Sequence, residues 1–497
     1  MDDSTNYNQL QKPLDHFRPK TKRLKVHPTE IAALWIVCTH FVLLPWCLGT
    51  MRTWAQVPSL VVAVVGLVVA LLPRSYTEEH TNSSAFRLIM WPKLLKFPIF
   101  WIGFALMAYV VAQALNPAWT YKPDGNFFRM EAMPHTSWLP TGVEAPYESW
   151  NQFKMLVIFG SAWLSACTVW VAFTRRRTLQ IFLTTLAVNG LLLALFGISQ
   201  RMFGNGKIFW FFVSPNPAFF SSFIYKNHGS AYLDLILAVT CGLGGWYYLR
   251  GLRRMEKSNP SGVFAFFATC IAVAVLTSYA RGATLIMLAF LLVCIVAFVI
   301  HQVLLPSGSR KPVVAVVLVL VFGCFLKTGM DALKTGEAWN RIMAAVTRED
   351  MSLEIREVAT KAATEMLQDT WASGVGAGSF RFLFPAYQKR HAKLWPNESE
   401  RLFWDHAHND VVQFPIELGA VGMGLVLFGF GYYLVALVRS YFWASPLSAC
   451  VVFGLLLTIV YSWWDFPFQC VAILSTWCAL WPAALMWARF EESGARS

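Results

Sequence analysis

The residues best suited to chemistry form one polar stretch ahead of a long apolar segment: Asp405, His406, His408, Asn409 and Asp410. An unperturbed histidine titrates at about pH 6.5, so His408 or His406 is a candidate general base for a hydroxyl group. Asp405 or Asp410 could orient the imidazole. The simpler interpretation, which the sequence leaves open, is that both histidines are ordinary polar residues at a membrane boundary.

The same stretch predicts where a membrane helix begins. Asp410 and Gln413 have the spacing of a helix N-cap and its capping-box partner. The histidines would then lie at the water boundary, close to the partial positive charge of the helix start. An ionisable cluster at this depth is a candidate functional site.

Metal and nucleotide chemistry are less well supported by the sequence. His406 and His408 with flanking aspartates could offer metal ligands, but no third histidine or cysteine of suitable spacing accompanies them. The glycine run 374–378 is not followed by Gly-Lys-Ser/Thr, so it is not a phosphate-binding loop. We therefore expect no metal, no cofactor and no nucleotide-sugar donor.

The composition is that of a membrane protein. Of 497 residues, 56% are hydrophobic and only 14% are charged, against about 25% charged in soluble proteins. The net charge of +13 falls mostly in short loops between apolar segments, which is a topology signal, so we do not expect nucleic acid as a partner. The ten cysteines lie nearly all in apolar segments and form no disulfide framework.

The hydropathy pattern predicts an all-α polytopic membrane protein with about twelve transmembrane helices, each close to the roughly 20 residues that a bilayer requires. The predicted spans are 31–48, 57–72, 97–115, 153–173, 179–199, 229–249, 263–277, 283–300, 313–326, 411–438, 447–462 and 471–487. We expect the tenth to be broken near Pro415.

Basic residues before the first span place the N-terminus on the cytoplasmic side, with no cleavable signal peptide. The predicted regions are a tail (1–28), N-terminal spans (29–175) with an external loop (116–151), further spans (176–326), a large, partly helical external loop (327–408), C-terminal spans (409–488) and a tail (489–497). Alternation of the spans puts the histidine cluster on the external side.

Three cations would share that side with the histidines. Arg281 lies in a very short turn between two apolar helices, where an arginine is costly unless it is paired or hydrated. Its guanidinium can bind phosphate oxygens through two hydrogen bonds, although it could also simply reach the headgroup level. Arg201 and Lys226 are weaker candidates. Together the three would suit an anionic, membrane-tethered substrate such as a lipid diphosphate.

Several motifs occur in an order that resembles the O-antigen ligase and polymerase superfamily. His408-Asn409, nine residues and then Gly419-Ala420-Val421-Gly422 resembles its H-[NSQ]-x9-G-x-x-G signature. Four further segments are similar to family motifs, with departures at Tyr225, Lys226 and Ala280: Tyr225–Leu233, Thr277–Gly282, Gly376–Gln388 and Trp464–Pro467. The resemblance extends over about residues 179–487.

The resemblance implies a C-type glycosyltransferase in the bacterial inner (cytoplasmic) membrane, with its active site facing the periplasm and without metal or nucleotide sugar. The donor would be a glycan on undecaprenyl diphosphate, and the acceptor a glycan or lipid A-core. It implies His408 and Arg281 as catalytic residues, with Arg201, or its rival Lys226, as the second diphosphate-binding cation. The other candidates for binding diphosphate or glycan are Asn227, His228, Tyr279, His406, Asn409, Asp410 and Asp465.

Other functions stay open at this point. The segment Trp464–Pro467 favours a polymerase or exopolysaccharide-type member over a ligase, and a protein O-oligosaccharyltransferase shares the same donor chemistry. A polysaccharide transporter or flippase would predict inverted repeats and charges buried in mid-span, neither of which we find in the sequence. A third, non-enzymatic alternative is that the large external loop only binds a partner. It would not explain Arg281, which lies far from this loop in sequence.

Overall fold

The computed structural model describes residues 26–76, 86–125, 127–255, 258–304, 323, 327, 351–397 and 403–496. Within these ranges the chain forms fourteen α-helices and five short strands. The helices are α1 (Pro28–Trp46), α2 (Thr53–Leu71), α3 (Trp91–Leu95), α4 (Pro98–Leu115), α5 (Gln152–Ala172), α6 (Arg176–Phe203), α7 (Lys226–Arg254), α8 (Ser261–Thr277), α9 (Arg281–Leu304), α10 (Met351–Thr370), α11 (Phe380–Gln388), α12 (Asp410–Arg439), α13 (Pro446–Tyr461) and α14 (Val471–Arg496). The strands are β1 (Arg74–Tyr76), β2 (Phe86–Leu88), β3 (Pro117–Asp124), β4 (Phe127–Ala132) and β5 (Gly142–Glu144).

The predicted fold class is confirmed: the chain is an all-α polytopic membrane protein. Over the described ranges, nine helices are long and apolar enough to cross a membrane, and α8 and α13 are shorter apolar helices. These eleven helices coincide with eleven of the twelve predicted spans. The remaining predicted span, 313–326, falls almost entirely outside the described residues.

The two ends of the helix bundle differ in what covers them. We call the end where α1 begins and α14 finishes the terminal face, and the opposite end, which carries β3–β5, α10 and α11, the loop face. At the terminal face Glu30 and Arg74 form a fully buried ion pair of 2.7 Å. The Glu30 carboxylate also accepts hydrogen bonds from Thr174 and Thr178. This buried pair and its hydrogen bonds tie the start of α1 to the turn between α5 and α6.

The connection 116–151, expected as a loop, contains a three-stranded sheet at the loop face. Strands β3 and β4 pair antiparallel from Trp119 opposite Ala132 to Asp124 opposite Phe127, and β5 joins β3 in parallel. The basic segment after α2 likewise contains the hairpin β1–β2 and the short helix α3. Strands this short and interrupted by proline give a weak sequence pattern, which is why we predicted neither sheet.

Helix α12 is broken at Gly419, four residues after Pro415, near which we predicted the break. Gly419 has φ +62° and ψ −172°, a conformation open essentially only to glycine. Pro415 lies close to the start of α12, where its missing N–H removes little of the helical hydrogen bonding. At the break, Val375 N donates to Ile416 O (2.9 Å) and Gly376 N to Glu417 O (3.0 Å). The turn between α10 and α11 therefore docks on the interrupted helix.

The long connection before α12 is partly helical, as its periodicity indicates. The helical pattern over 338–366 corresponds to α10 from Met351 onward, and residues 338–350 lie outside the described residues. The glycine run that ends this pattern is a tight turn, because Gly374, Gly376 and Gly378 all have positive φ. The contacts of this turn with α12 fix the position of the long connection relative to that helix.

Candidate functional site

His408 lies directly before α12 at the loop face, with a left-handed backbone (φ +52°). Its ring meets Trp404 and Phe466 edge-on, at centroid distances of 5.3 and 4.6 Å. Its Nδ1 atom is 3.9 Å from Asp465 Oδ1, is buried, and makes no hydrogen bond to any described residue. The side chain remains 24% exposed, so part of the imidazole is open to a ligand. A partly exposed imidazole whose buried Nδ1 faces a carboxylate can exchange a proton with a bound hydroxyl group through its other ring nitrogen.

The pKa of His408 is low in this environment. Burial lowers the pKa to about 4, the positive charge of Arg356 lowers it too, and the Asp465 carboxylate acts in the opposite direction. His408 is therefore neutral at neutral pH, which is the state that can accept a proton. An anion bound beside Arg356 would offset the positive charge and raise the pKa of His408.

Asp465 is the carboxylate beside the imidazole, in the position we had expected for Asp405 or Asp410. It is buried and accepts hydrogen bonds from Asn227, from Tyr461 Oη (3.0 Å) and from Phe466 N (2.9 Å). These donors come from α7, from the end of α13 and from the following turn. Two helices thus hold the carboxylate in a fixed orientation toward His408.

Arg356 reaches this cluster from α10, and we did not predict it from the sequence. Its Nη2 donates to Tyr225 Oη (3.2 Å), and Tyr225 also accepts from Asn227 Nδ2 (2.7 Å). The Tyr225 ring stacks on Phe466 at 5.4 Å. No local signal in the sequence singles out Arg356, because it lies among other charged residues of α10 such as Glu354 and Glu357.

Two of the three cations singled out from the sequence contact Tyr279, and the third follows it closely in the chain. Lys226 Nζ donates to the Tyr279 carbonyl (3.1 Å), and the exposed Arg201 lies 4.5 Å from the centre of the Tyr279 ring. Arg281 begins α9 two residues later. Tyr279 has φ +55°, so this turn is tight, as its sequence predicted.

The first turn of α9 lies directly against the residues that hold Asp465. A Cβ atom added to Gly282 would be only 2.8 Å from Cε2 of Tyr461, whose hydroxyl group donates to Asp465. Lys226 and Asn227 are adjacent on α7, and one contacts Tyr279 while the other contacts Asp465. The cations around Tyr279 and the pair His408–Asp465 therefore occupy adjoining parts of one site.

Three further candidate residues, His228, Asn409 and Asp410, lie behind the exposed side chains of the site. His228 Nε2 is 3.2 Å from Phe466 O, and Asn409 Oδ1 accepts from Val412 N (3.2 Å) as the N-cap of α12. Asp410, which we expected to be the N-cap, accepts from Phe468 N (2.8 Å) instead. All three side chains are buried, and their contacts shape the site from the rear.

His406 is also buried and packs between rings. It stacks on Phe466 at 4.8 Å and meets Trp150 edge-on at 5.2 Å. Burial, followed by Arg381 and the other histidines, holds the pKa of His406 well below its usual value. Gln413, expected as the capping-box partner, contacts His406 Nδ1 (3.3 Å) and Glu417 (3.0 Å). His406 is thus less accessible to a substrate than His408.

Asp405, which we had considered for orienting the imidazole, pairs with Arg381 of α11 instead. The Arg381 guanidinium also lies over the exposed ring of Phe403, at 5.5 Å from its centre. Burial lowers the pKa of Arg381 to about 10, so it stays charged at neutral pH. Over the ranges that the structure describes, no group of three or more His, Cys, Asp or Glu side chains is placed to hold a metal ion.

Comparison with known protein families identifies one matching segment. Residues 265–427 match the sequence model of the family described as O-antigen ligase. The matched segment includes Arg281, Arg356 and His408, whereas Lys226 and Asp465 lie outside it. No curated protein matches the chain.

Proposed function

We infer that this chain belongs to the O-antigen ligase/polymerase superfamily, whose family model matches residues 265–427. We propose that it is a glycosyltransferase that moves a glycan from undecaprenyl diphosphate to a hydroxyl acceptor. The reaction would take place at the loop face, which we assign to the periplasmic side of the bacterial inner membrane. The observation that carries the proposal is the partly exposed imidazole of His408, whose Nδ1 atom lies 3.9 Å from the Asp465 carboxylate in a cluster that includes Arg356.

The proposed reaction is a single displacement. The acceptor hydroxyl oxygen attacks the anomeric carbon of the glycan, and a new carbon–oxygen bond forms as the bond to the diphosphate oxygen breaks. The hydroxyl proton passes to His408, and the bonding electrons leave with the diphosphate lipid. Attack from the face opposite the leaving group inverts the configuration at the anomeric carbon.

The cations of the site would stabilise the negative charge that develops on the leaving diphosphate. Arg281 begins a helix at the loop face, and Arg356 approaches from the long connection. For the second cation, Arg356 is a stronger candidate than Arg201 or Lys226, because it lies close enough to His408 to lower its pKa. Removing one such charged donor from an active site typically costs about 10²–10³ in rate.

Donor binding would also prepare the base. Burial and the charge of Arg356 hold the pKa of His408 at about 4, so it is neutral but a weak base. A diphosphate paired with Arg356 would cancel part of the charge that holds this pKa down. The base would therefore become stronger only when the donor is present, which favours transfer over wasteful proton exchange with water.

The test is polysaccharide profiling of a deletion strain complemented with the wild type, His408→Ala or Arg281→Ala. Arg390→Gln, an exposed residue of the long connection, is the matched control. Lipopolysaccharide, secreted polymer, glycoprotein and carrier-linked glycan are compared at equal amounts of membrane-inserted protein. We expect both site variants to fail and carrier-linked glycan to accumulate on the periplasmic side.

The accumulated species would identify the branch of the superfamily. Long carrier-linked chains indicate a ligase, single repeat units a polymerase, and loss of glycoprotein alone a protein O-oligosaccharyltransferase. Full complementation by both variants would refute the catalytic assignment. Accumulation of the carrier-linked glycan on the cytoplasmic side would instead support a flippase.

A further inference from the structure

A second cluster of arginines lies at the terminal face, across the bundle from the site described above. Arg176 and Arg177 at the start of α6 and Arg250 and Arg254 near the end of α7 line a cavity of about 480 Å³, together with Gln180. None of the residues lining it is acidic. An excess of basic residues at one membrane face is common, but four arginines converging on one cavity are not explained by such a bias alone.

One acid close to this cluster, Glu491, is already engaged. Glu491 of α14 pairs with Arg176 (3.0 Å) and accepts a hydrogen bond from Trp246 Nε1 (2.9 Å). The Arg250 guanidinium lies 5.3 Å from the centre of the Trp246 ring, and its Nε atom is buried without a hydrogen bond to any described residue. A buried donor without an acceptor is costly, so a ligand that brings an acceptor oxygen to this atom would be favoured.

An apolar groove continues from the arginine cavity along α6. It has a volume of about 460 Å³, shares Arg177 and Gln180 with the arginine cavity, and extends as far as Leu192. Its apolar side chains Ile181, Val188 and Leu192 are 39–51% exposed. At 1.5 Å per residue, the helix from Arg177 to Leu192 spans about 22 Å, most of a hydrocarbon core of about 30 Å.

The junction of the two cavities is structurally defined. Gln180 Nε2 donates to the hydroxyl group of Tyr247, and the Tyr247 ring stacks on Phe264 of α8 at 5.4 Å. Helices α6 and α7 therefore form a polar opening above an apolar channel. A molecule that fills both parts needs an anionic head and a long apolar chain.

We propose that this site binds an anionic phospholipid, with its phosphate among Arg177, Arg250 and their neighbours and an acyl chain along the groove. Arginine is suited to phosphate because its planar guanidinium donates two parallel hydrogen bonds. Basic pockets between transmembrane helices recognise lipid headgroups in this way. The proposal does not depend on the proposed function, since none of these residues belongs to the site at the loop face.

The test measures lipid retention by the purified full-length chain in detergent, using native mass spectrometry. The probes are dioleoylphosphatidylglycerol and dioleoylphosphatidylcholine, which share acyl chains and differ in headgroup charge. We expect the anionic lipid to bind at least tenfold more tightly. The double variant Arg177→Gln/Arg250→Gln should lose this difference, whereas Arg129→Gln, an exposed residue of β4, should keep it.

A second variant tests the groove and keeps all four arginines. Leu192→Trp fills the far end of the channel and should weaken phosphatidylglycerol binding about tenfold with little effect on thermal stability. Equal retention of the two lipids, or unchanged retention by both variants, would refute the proposal. Equal thermal stabilisation by inorganic phosphate and by phosphatidylglycerol would also refute it, because the site would then recognise the phosphate alone.

Discussion

Arg356 donates a 3.2 Å hydrogen bond to the Tyr225 hydroxyl group across 131 positions of sequence. The bond joins α10, in the long connection before α12, to the residue that precedes α7. Tyr225 in turn contacts Asn227, which donates to the carboxylate beside His408. The long connection therefore supplies a charged group to the site itself and does not merely cover it.

The first prediction concerns this arginine. Arg356→Gln removes the positive charge but keeps a hydrogen-bond donor for Tyr225, so the fold should be preserved. If Arg356 stabilises the leaving diphosphate, glycan transfer should fall by about 10²–10³. The measurement is the transfer rate of the purified protein in liposomes, with a carrier-linked glycan as donor.

Two further variants make the result specific. Arg356→Lys keeps the charge without the planar guanidinium and should recover only part of the activity. Arg390→Gln should retain wild-type activity, because Arg390 is exposed and pairs only loosely with Glu365, at 3.7 Å. Wild-type rates in Arg356→Gln would show that this arginine has no role in transfer.

The second prediction concerns the carboxylate beside His408. Asp465→Asn has nearly the same shape, but an amide cannot accept all the hydrogen bonds that come from Asn227, Tyr461 and the backbone of Phe466. The imidazole should lose its fixed orientation, and transfer should fall by about 10² or more. Asp369→Asn, at an exposed acceptor for Tyr387, is the control and should be fully active.

A purely structural role for Asp465 predicts a different outcome. In that case Asp465→Asn would lower the yield and thermal stability of the protein but leave the pH profile of the surviving activity unchanged. If the carboxylate acts on His408, its loss should move the acid limb of that profile to lower pH, because Asp465 raises the pKa of the imidazole.

The third prediction concerns pH. His408 must be neutral to accept a proton, and burial lowers its pKa to about 4. Transfer should therefore stay constant as the pH falls through about 6.5, the ordinary histidine value, and should decline only as the pH approaches 4. In Arg356→Gln the lowering charge is gone, so the residual activity should decline at a higher pH than in the wild type.

The profile of kcat/KM against pH is the appropriate measurement, because it reports the free enzyme. Arg390→Gln serves again as the control and should follow the wild-type profile. An acid limb at about pH 6.5 in the wild type would mean that His408 is exposed to water when it acts, contrary to the burial described here.

Much of the fold follows from the sequence because membrane helices impose a strong pattern. A run of about 20 apolar residues between polar turns is visible in one sequence, and eleven of the predicted spans coincide with helices. The same pattern carries no information on strands such as β3–β5. The exact start of a helix is harder to predict than its existence. Asn409 and Asp410 are both good N-cap residues, and only the backbone conformation in the structure shows that Asn409 is the N-cap.

The site was partly predictable for a related reason. His408, Arg281 and Asp465 lie at the ends of apolar segments, where a charged group is conspicuous. Arg356 lies in an amphipathic helix among other charges, so nothing local distinguishes it until Tyr225 is placed beside it. Contacts between segments that are far apart in sequence depend on tertiary packing, which the periodicity of a single sequence does not predict.

The last prediction concerns the break in α12. Gly419→Ala should destabilise the protein by about 2 kcal/mol or more, because φ +62° with ψ −172° is strained for any residue with a Cβ atom. That atom would also lie 2.6 Å from the backbone nitrogen of Gly374, in the turn that docks on the helix. The long connection should loosen, and its susceptibility to limited proteolysis should rise together with a loss of transfer activity.

The matched control lies in the same helix. A Cβ atom added at Gly424 meets nothing within 4 Å, so Gly424→Ala should leave stability, proteolysis and activity unchanged. Thermal unfolding in detergent and proteolysis of the same samples measure both effects. The added carbon should prevent the turn from docking on α12. If Gly419→Ala nevertheless keeps wild-type stability and resistance to proteolysis, this docking is not what holds Arg356 in the site.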